Sequence, residues 1–107
     1  MPGKPADRHG AQVVRVGNRL DAGTVEDVRP RLHEAVDHGR GDLVVDLVEL
    51  EMIDATGLGV LVGTHRRATD AGRRLVLRNV PPRIMRILAV TRLSRVLAVE
   101  STSAFVA

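Results

Sequence analysis

The chain has no cysteine, no tryptophan and no tyrosine, and its one aromatic residue is Phe105. Without thiols, disulfide scaffolds, Cys-rich zinc sites and thiol catalysis are excluded. A single aromatic ring provides no stacking platform of the kind that holds single-stranded nucleic acid. No apolar run approaches the roughly 20 residues that a membrane helix requires, so no membrane partner is expected. Met1-Pro2-Gly3-Lys4-Pro5 begins like the charged end of a signal peptide, but no apolar stretch follows it. No targeting segment is therefore expected, and the expected compartment is the cytoplasm. Lysine is almost missing too. Lys4 stands alone among 16 basic residues, which face 13 acids for a formal charge of +3. Arginine stays protonated far above neutrality, so a small excess of it makes the isoelectric point high without any basic patch. Acids lie scattered among the arginines, and no nucleic-acid partner is expected.

At 107 residues the chain fits one domain with one core. Residues 1–11 carry two Pro and two Gly and read as a flexible start, with the domain proper over 12–107. Gln12–Val16 is short and β-branched, a strand that ends at Gly17-Asn18. Asn18 tolerates positive φ and suits a tight turn before Leu20-Asp21. Thr24 can cap a helix with Glu26 and Asp27 in its first turn, and Val25, Val28, Leu32, Ala35 and Val36 form its apolar stripe. Pro30 should bend that helix without ending it, and Gly39 closes it.

Leu43–Val48 reads as a more buried strand. A helix runs from about Leu58 to Asp70 and stops at Ala71-Gly72. Arg74–Arg78 is a third strand. Pro81 and Pro82 start another helix, with Ile84, Ile87, Leu88 and Val90 as its apolar positions. Arg95–Val99 is a last strand, and Ser101–Phe105 looks like the start of a further helix. Strands alternating with helices predict an α/β domain with a mainly parallel sheet of about four to five strands.

One segment is not generic. From Met52 to Gly63, a strand ends, a polar turn with closely spaced glycines follows, and a helix begins. Free N–H groups and the positive end of the helix dipole make such a turn an anion site. Asp54 or Thr56 can alternatively act as a plain N-cap. Gly57, Gly59 and Gly63 brush against a dinucleotide fingerprint, but too little chain remains for a second nucleotide-binding half. No cofactor is expected. At about 100° per residue, Leu58, Leu61, Val62, His65, Ala68 and Thr69 share one face, taken as the core. Val60 then points outward beside Thr64 and Arg67, as a contact point for a protein partner. His9, His33, His38 and His65 lack metal-ligand spacing with any carboxylate, so neither a metal site nor a catalytic constellation is expected.

Asp54-Ala55-Thr56-Gly57-Leu58-Gly59-Val60-Leu61-Val62-Gly63 resembles the signature of STAS domains, specifically bacterial anti-sigma factor antagonists. Leu20-Asp21 before the Thr24-capped helix, Leu43-Val44-Val45-Asp46-Leu47 ahead of the motif, and Thr91-Arg92-Leu93 near the end carry the same resemblance over roughly residues 12–100. The resemblance implies a non-enzymatic partner switch. An unphosphorylated antagonist binds an anti-sigma factor that is also a serine/threonine kinase, is phosphorylated at the turn and released, and is restored by a phosphatase. Phosphorylation adds about −1.5 to −2 charge, which beside Asp54 and Asp21 opposes docking.

The motif departs from the family at the switch itself. The family's phosphorylated serine directly follows the motif Asp, and here that position is Ala55. Milder departures are Arg92 and Asn18, each in place of a usual Gly. Three readings follow: an antagonist that cannot be switched off at Ala55, one phosphorylated at Thr56 instead, or a STAS-fold interaction or ligand-binding module unrelated to sigma factors. The expected partner surface comprises Asp21, Asp54, Thr56, Gly57, Val60, Thr64 and Arg67.

Overall fold

The β-branched run Gln12–Arg15 forms strand β1 and the apolar run Leu43–Asp46 forms β3, and the two pair in parallel. The computed structural model describes residues 11–100. Between these strands lie the two-residue strand β2 (Arg19–Leu20) and helix α1 (Val25–His38). After β3 come β4 (Met52–Ile53), helix α2 (Ala55–Asp70), β5 (Leu75–Arg78), helix α3 (Pro82–Val90), a 3₁₀ turn over Leu93–Arg95, and β6 (Ala98–Val99). The main sheet has the order β1-β3-β5-β6 with every described pair parallel, and β2 pairs with β4 in a second, small parallel sheet. The expected α/β class is present, and the main sheet has four strands where about four to five are expected.

Alternation along the strands divides the main sheet into two faces. Leu43, Val45, Leu47, Leu75 and Leu77 join the core with Leu32, Leu61, Leu88 and Leu97. The next register row on the other face alternates in charge: Arg15 opposite Asp46, and Asp46 opposite Arg78. Buried Asp46 accepts from Val48 N (3.0 Å) and Asn79 Nδ2 (3.1 Å), and Arg78 Nε meets Glu100 Oε1 at 2.8 Å. The row is a satisfied ladder, not a site.

All five expected stripe residues of α1 are buried, and the helix continues through Pro30. Thr24 sits at the N-cap, but its hydroxyl makes no capping bond. It accepts from Asp21 N (3.0 Å) and donates to Arg19 O (3.0 Å), fixing the preceding turn instead. Positive φ falls on Gly17 (86°) and not on Asn18, because glycine adopts it without strain. The last strand is shorter than expected, its first part taken up by the 3₁₀ turn that follows Arg92 (φ 66°). Val90, expected on the apolar face of α3, is 78% exposed, while Ile84 and Leu88 are buried. The helix expected from Ser101 lies outside the described residues.

Candidate functional site

Two loops meet where β2 and β4 end. Arg19 pairs with Met52 and Leu20 with Ile53, so the turn after β2 is held beside the turn that starts α2. Asp54 joins them. Its N–H donates to Leu20 O (3.3 Å), its Oδ1 accepts from Gly57 N (2.9 Å), and its Oδ2 accepts from Ala22 N (3.1 Å). One carboxylate thus caps α2 and ties down a loop 32 residues earlier in the chain. The alternative of Asp54 or Thr56 as cap is resolved for Asp54, and α2 accordingly begins at Ala55, three residues earlier than expected.

Hydrogen bonds from Gly57 N, then from Ala22 N, hold the Asp54 carboxyl below its ordinary value of 3.8. A depressed carboxylate stabilises the fold above its unfolded value, and that contribution is lost as pH falls through the folded value. Asp54→Asn keeps a capping oxygen but no charge. It should lower the Tm by a few degrees at neutral pH, and thermal melts should show the gap to wild type closing as the solution is acidified.

Asp21 lies on the other side of a cleft lined also by Arg19, Ala22, Gly23, Met52 and Asp54. It is 7% exposed, and its carboxylate is occupied by Arg19 Nη2 (2.6 Å) and Gly23 N (3.0 Å). Its role is to shape the loop. Met52 is half exposed in this cleft, a site position that residue spacing does not reveal because the two-residue strand β4 has no periodic signature.

The outward face of α2 differs from the expected one. Val60 is 3% exposed and Thr64 0%, so neither is available to a partner. The buried arc is Gly57, Val60, Leu61, Thr64 and Ala68. Thr64 joins the core because its hydroxyl donates to Val60 O at 2.7 Å, and Gly57 because the helix there packs against the backbone of Leu20. Leu58, Val62 and His65, expected at the centre of the core face, are only partly buried, and Thr69 is exposed. Arg67 is exposed but engaged: its Nε and Nη2 bind both carboxylate oxygens of Asp37 on α1, at 3.0 and 2.8 Å.

What α2 presents outward at its start is Ala55, Thr56, Gly59 and then Gly63. A Cβ added at Gly59 or Gly63 would meet nothing within 4 Å. The helix backbone is therefore open to close approach along this side. Among the described residues, no group of three His, Asp or Glu side chains could hold a metal ion, and no helix is long and apolar enough to cross a membrane.

A parallel sheet with helices following its strands, and a carboxylate-capped turn leading into a glycine-bearing helix, define an α/β domain that exposes a smooth helix start. Residues 6–99 match the family model described as Mlab, STAS domain, and the chain belongs to the STAS domain family. It is 33% identical over 87 residues to the anti-sigma-B factor antagonist of Staphylococcus aureus, covering 81% of each chain. It is 28% identical over 91 residues to an anti-sigma F factor antagonist of Paenibacillus polymyxa, covering 84% of this chain and 78% of that one. The fold is similar to that of an anti-sigma-factor antagonist (STAS) domain protein from Planctomyces limnophilus, with a TM-score of 0.74 and 23% identity over 85% of this chain and 82% of that one.

Proposed function

We propose that the protein is an anti-sigma factor antagonist: a binding module, not an enzyme, that captures an anti-sigma factor with serine/threonine kinase activity through the start of α2. The observation that carries this reading is the exposed start of α2 behind the Asp54 cap. Ala55 is exposed at its first position, where the family's phosphorylated residue belongs. Alanine cannot accept a phosphate, so the bound state is not released at this position. Support for the docking surface comes from Thr56, Gly59 and Gly63, which continue the exposed, side-chain-poor ridge.

Thr56 is exposed one residue later and is the alternative acceptor. The positive end of α2 would tolerate a phosphate there, so phosphorylation would change the docking surface without unfolding the helix. A second reading is favoured by the same Ala55: an interaction module not regulated by phosphorylation and not acting on a sigma factor.

The test is calorimetric titration with the anti-sigma kinase encoded in the same genome, with and without ATP, alongside intact mass. Wild type should bind equally in both conditions and gain no mass. Ala55→Ser should gain one phosphate and lose affinity at least about tenfold with ATP, roughly 1.4 kcal/mol. A wild-type mass gain that disappears in Thr56→Val would transfer the switch to Thr56. No binding in either condition would leave the second reading standing.

A further inference from the structure

Charge is sorted along this chain to a degree that the overall composition hides. Residues 41–64 contain five acids and no Lys or Arg, whereas residues 71–99 contain seven Arg and no Asp or Glu. The expectation of acids scattered among the arginines fails beyond Asp70. Two of the seven arginines are committed: Arg73 is buried and Arg78 pairs with Glu100. The other five, including Arg83, Arg86, Arg92 and Arg95, are exposed and have no ion-pair partner among the described residues.

Helix geometry places Arg83 and Arg86 together. Ile84 and Leu88 turn α3 inward, and Arg83, Arg86 and Val90, three and four residues apart, fall on the opposite side within about 60° of one another. The chain then passes through Arg92 and the 3₁₀ turn, adding Arg95 and half-exposed Val96. Exposed Val90 and Val96 among unpaired guanidiniums are what α3 and the turn after it present to solvent. Because the strands are parallel, residues 91–97 lie at the end of the sheet opposite the Asp54 turn.

We propose that the outward stripe of α3 and the turn after it form a second docking surface, for an acidic segment of a protein partner. Guanidinium groups bind carboxylates in a bidentate fork, and arginine around apolar contacts is characteristic of protein interfaces. The stripe has no aromatic ring to stack a base and no amide side chain to read one. Its apolar component is two valines, too little to insert into a bilayer. This surface does not depend on the anti-sigma reading or on Ala55.

The experiment follows backbone amide resonances of the whole chain during titration with a synthetic glutamate-rich peptide bearing interspersed leucines. A glutamine-for-glutamate peptide, phosphatidylglycerol vesicles and a DNA duplex are the comparison probes. Shifts should map to residues 83–96, weaken with salt, and vanish with the glutamine peptide. The double variant Arg83→Glu, Arg86→Glu should loosen the glutamate peptide about tenfold with an unchanged Tm, both residues being exposed. Val90→Ser should loosen it severalfold without altering the salt dependence. Shifts that map elsewhere, an unaffected double variant, or tighter binding of vesicles or duplex than of the peptide would each overturn the proposal.

Discussion

Gly57→Ala should destabilise the fold by about 3 kcal/mol, a fall in Tm of roughly 15 °C for a chain of this length. A Cβ at position 57 would collide with the carbonyl oxygen of Leu20 and stand 2.8 Å from its carbonyl carbon and 3.0 Å from Ile53 Cγ1. Flexible side chains could swing away from such a contact, but the Leu20 carbonyl cannot. It belongs to β2, which is paired with β4, and it accepts from Asp54 N. Moving it disturbs the β2–β4 pairing and breaks the bond from Asp54 N, two of the ties between the loops of the candidate site. Gly59→Ala is the matched control on the same helix. Its Cβ would enter open space, and replacing a helical glycine should stabilise by about 0.5–1 kcal/mol. Urea denaturation of the two variants should therefore move in opposite directions. Equal effects would mean that the close approach at Gly57 is not what fixes the glycine.

Arg73→Ala should cost about 3–4 kcal/mol, and Arg73→Lys about 2. Arg73 is 9% exposed, and its guanidinium donates to five oxygens: Ala35 O (2.7 Å), Val36 O (3.0 Å), Gly41 O (2.8 Å), Arg40 O (3.2 Å) and Gln12 Oε1 (3.1 Å). Ala35 and Val36 are in the last turn of α1, whose carbonyls have no intrahelical partner. Gly39 follows in an extended conformation, so the chain does not curl back to cover them. Arg73 does so from the connection between α2 and β5. Burial works against its charge and lowers its pKa, yet an arginine remains protonated across the accessible pH range. An ammonium offers three donors without a fork and satisfies only part of the set. Chemical denaturation at neutral pH measures the ranking, and a Lys variant as stable as wild type would contradict it.

The parts of the molecule written in regular repeats were legible from residue order. The stripe of α1, the strands β1, β3 and β5, and the proline-initiated α3 all follow from spacing and side-chain type. The small sheet was not legible, because two residues such as Arg19-Leu20 cannot show alternation. The buried face of α2 is rotated by nearly one residue from the face that apolar spacing predicts. Spacing puts Leu58 and Val62 inward and Val60 and Thr64 outward, because an apolar face built on Leu58, Leu61 and Val62 leaves Val60 behind it, and glycine gives no apolar signal at Gly57. Packing reversed this: Gly57 lets two backbones touch, and Thr64 satisfies its hydroxyl within its own helix before entering the core. Arg73 shows the same limit, since a carbonyl cluster assembled from α1 and two loops leaves no trace in the residues around it.

The strand order β1-β3-β5-β6 bears on how the chain assembles. Along the main sheet, spatial order is synthesis order. As the polypeptide emerges, each new strand finds its neighbour at the free edge, and none has to be threaded between strands already paired. The sheet grows by accretion in one direction, with each step closing a loop that carries its own helix. Translation and folding can thus advance together, without a completed strand pair ever having to reopen.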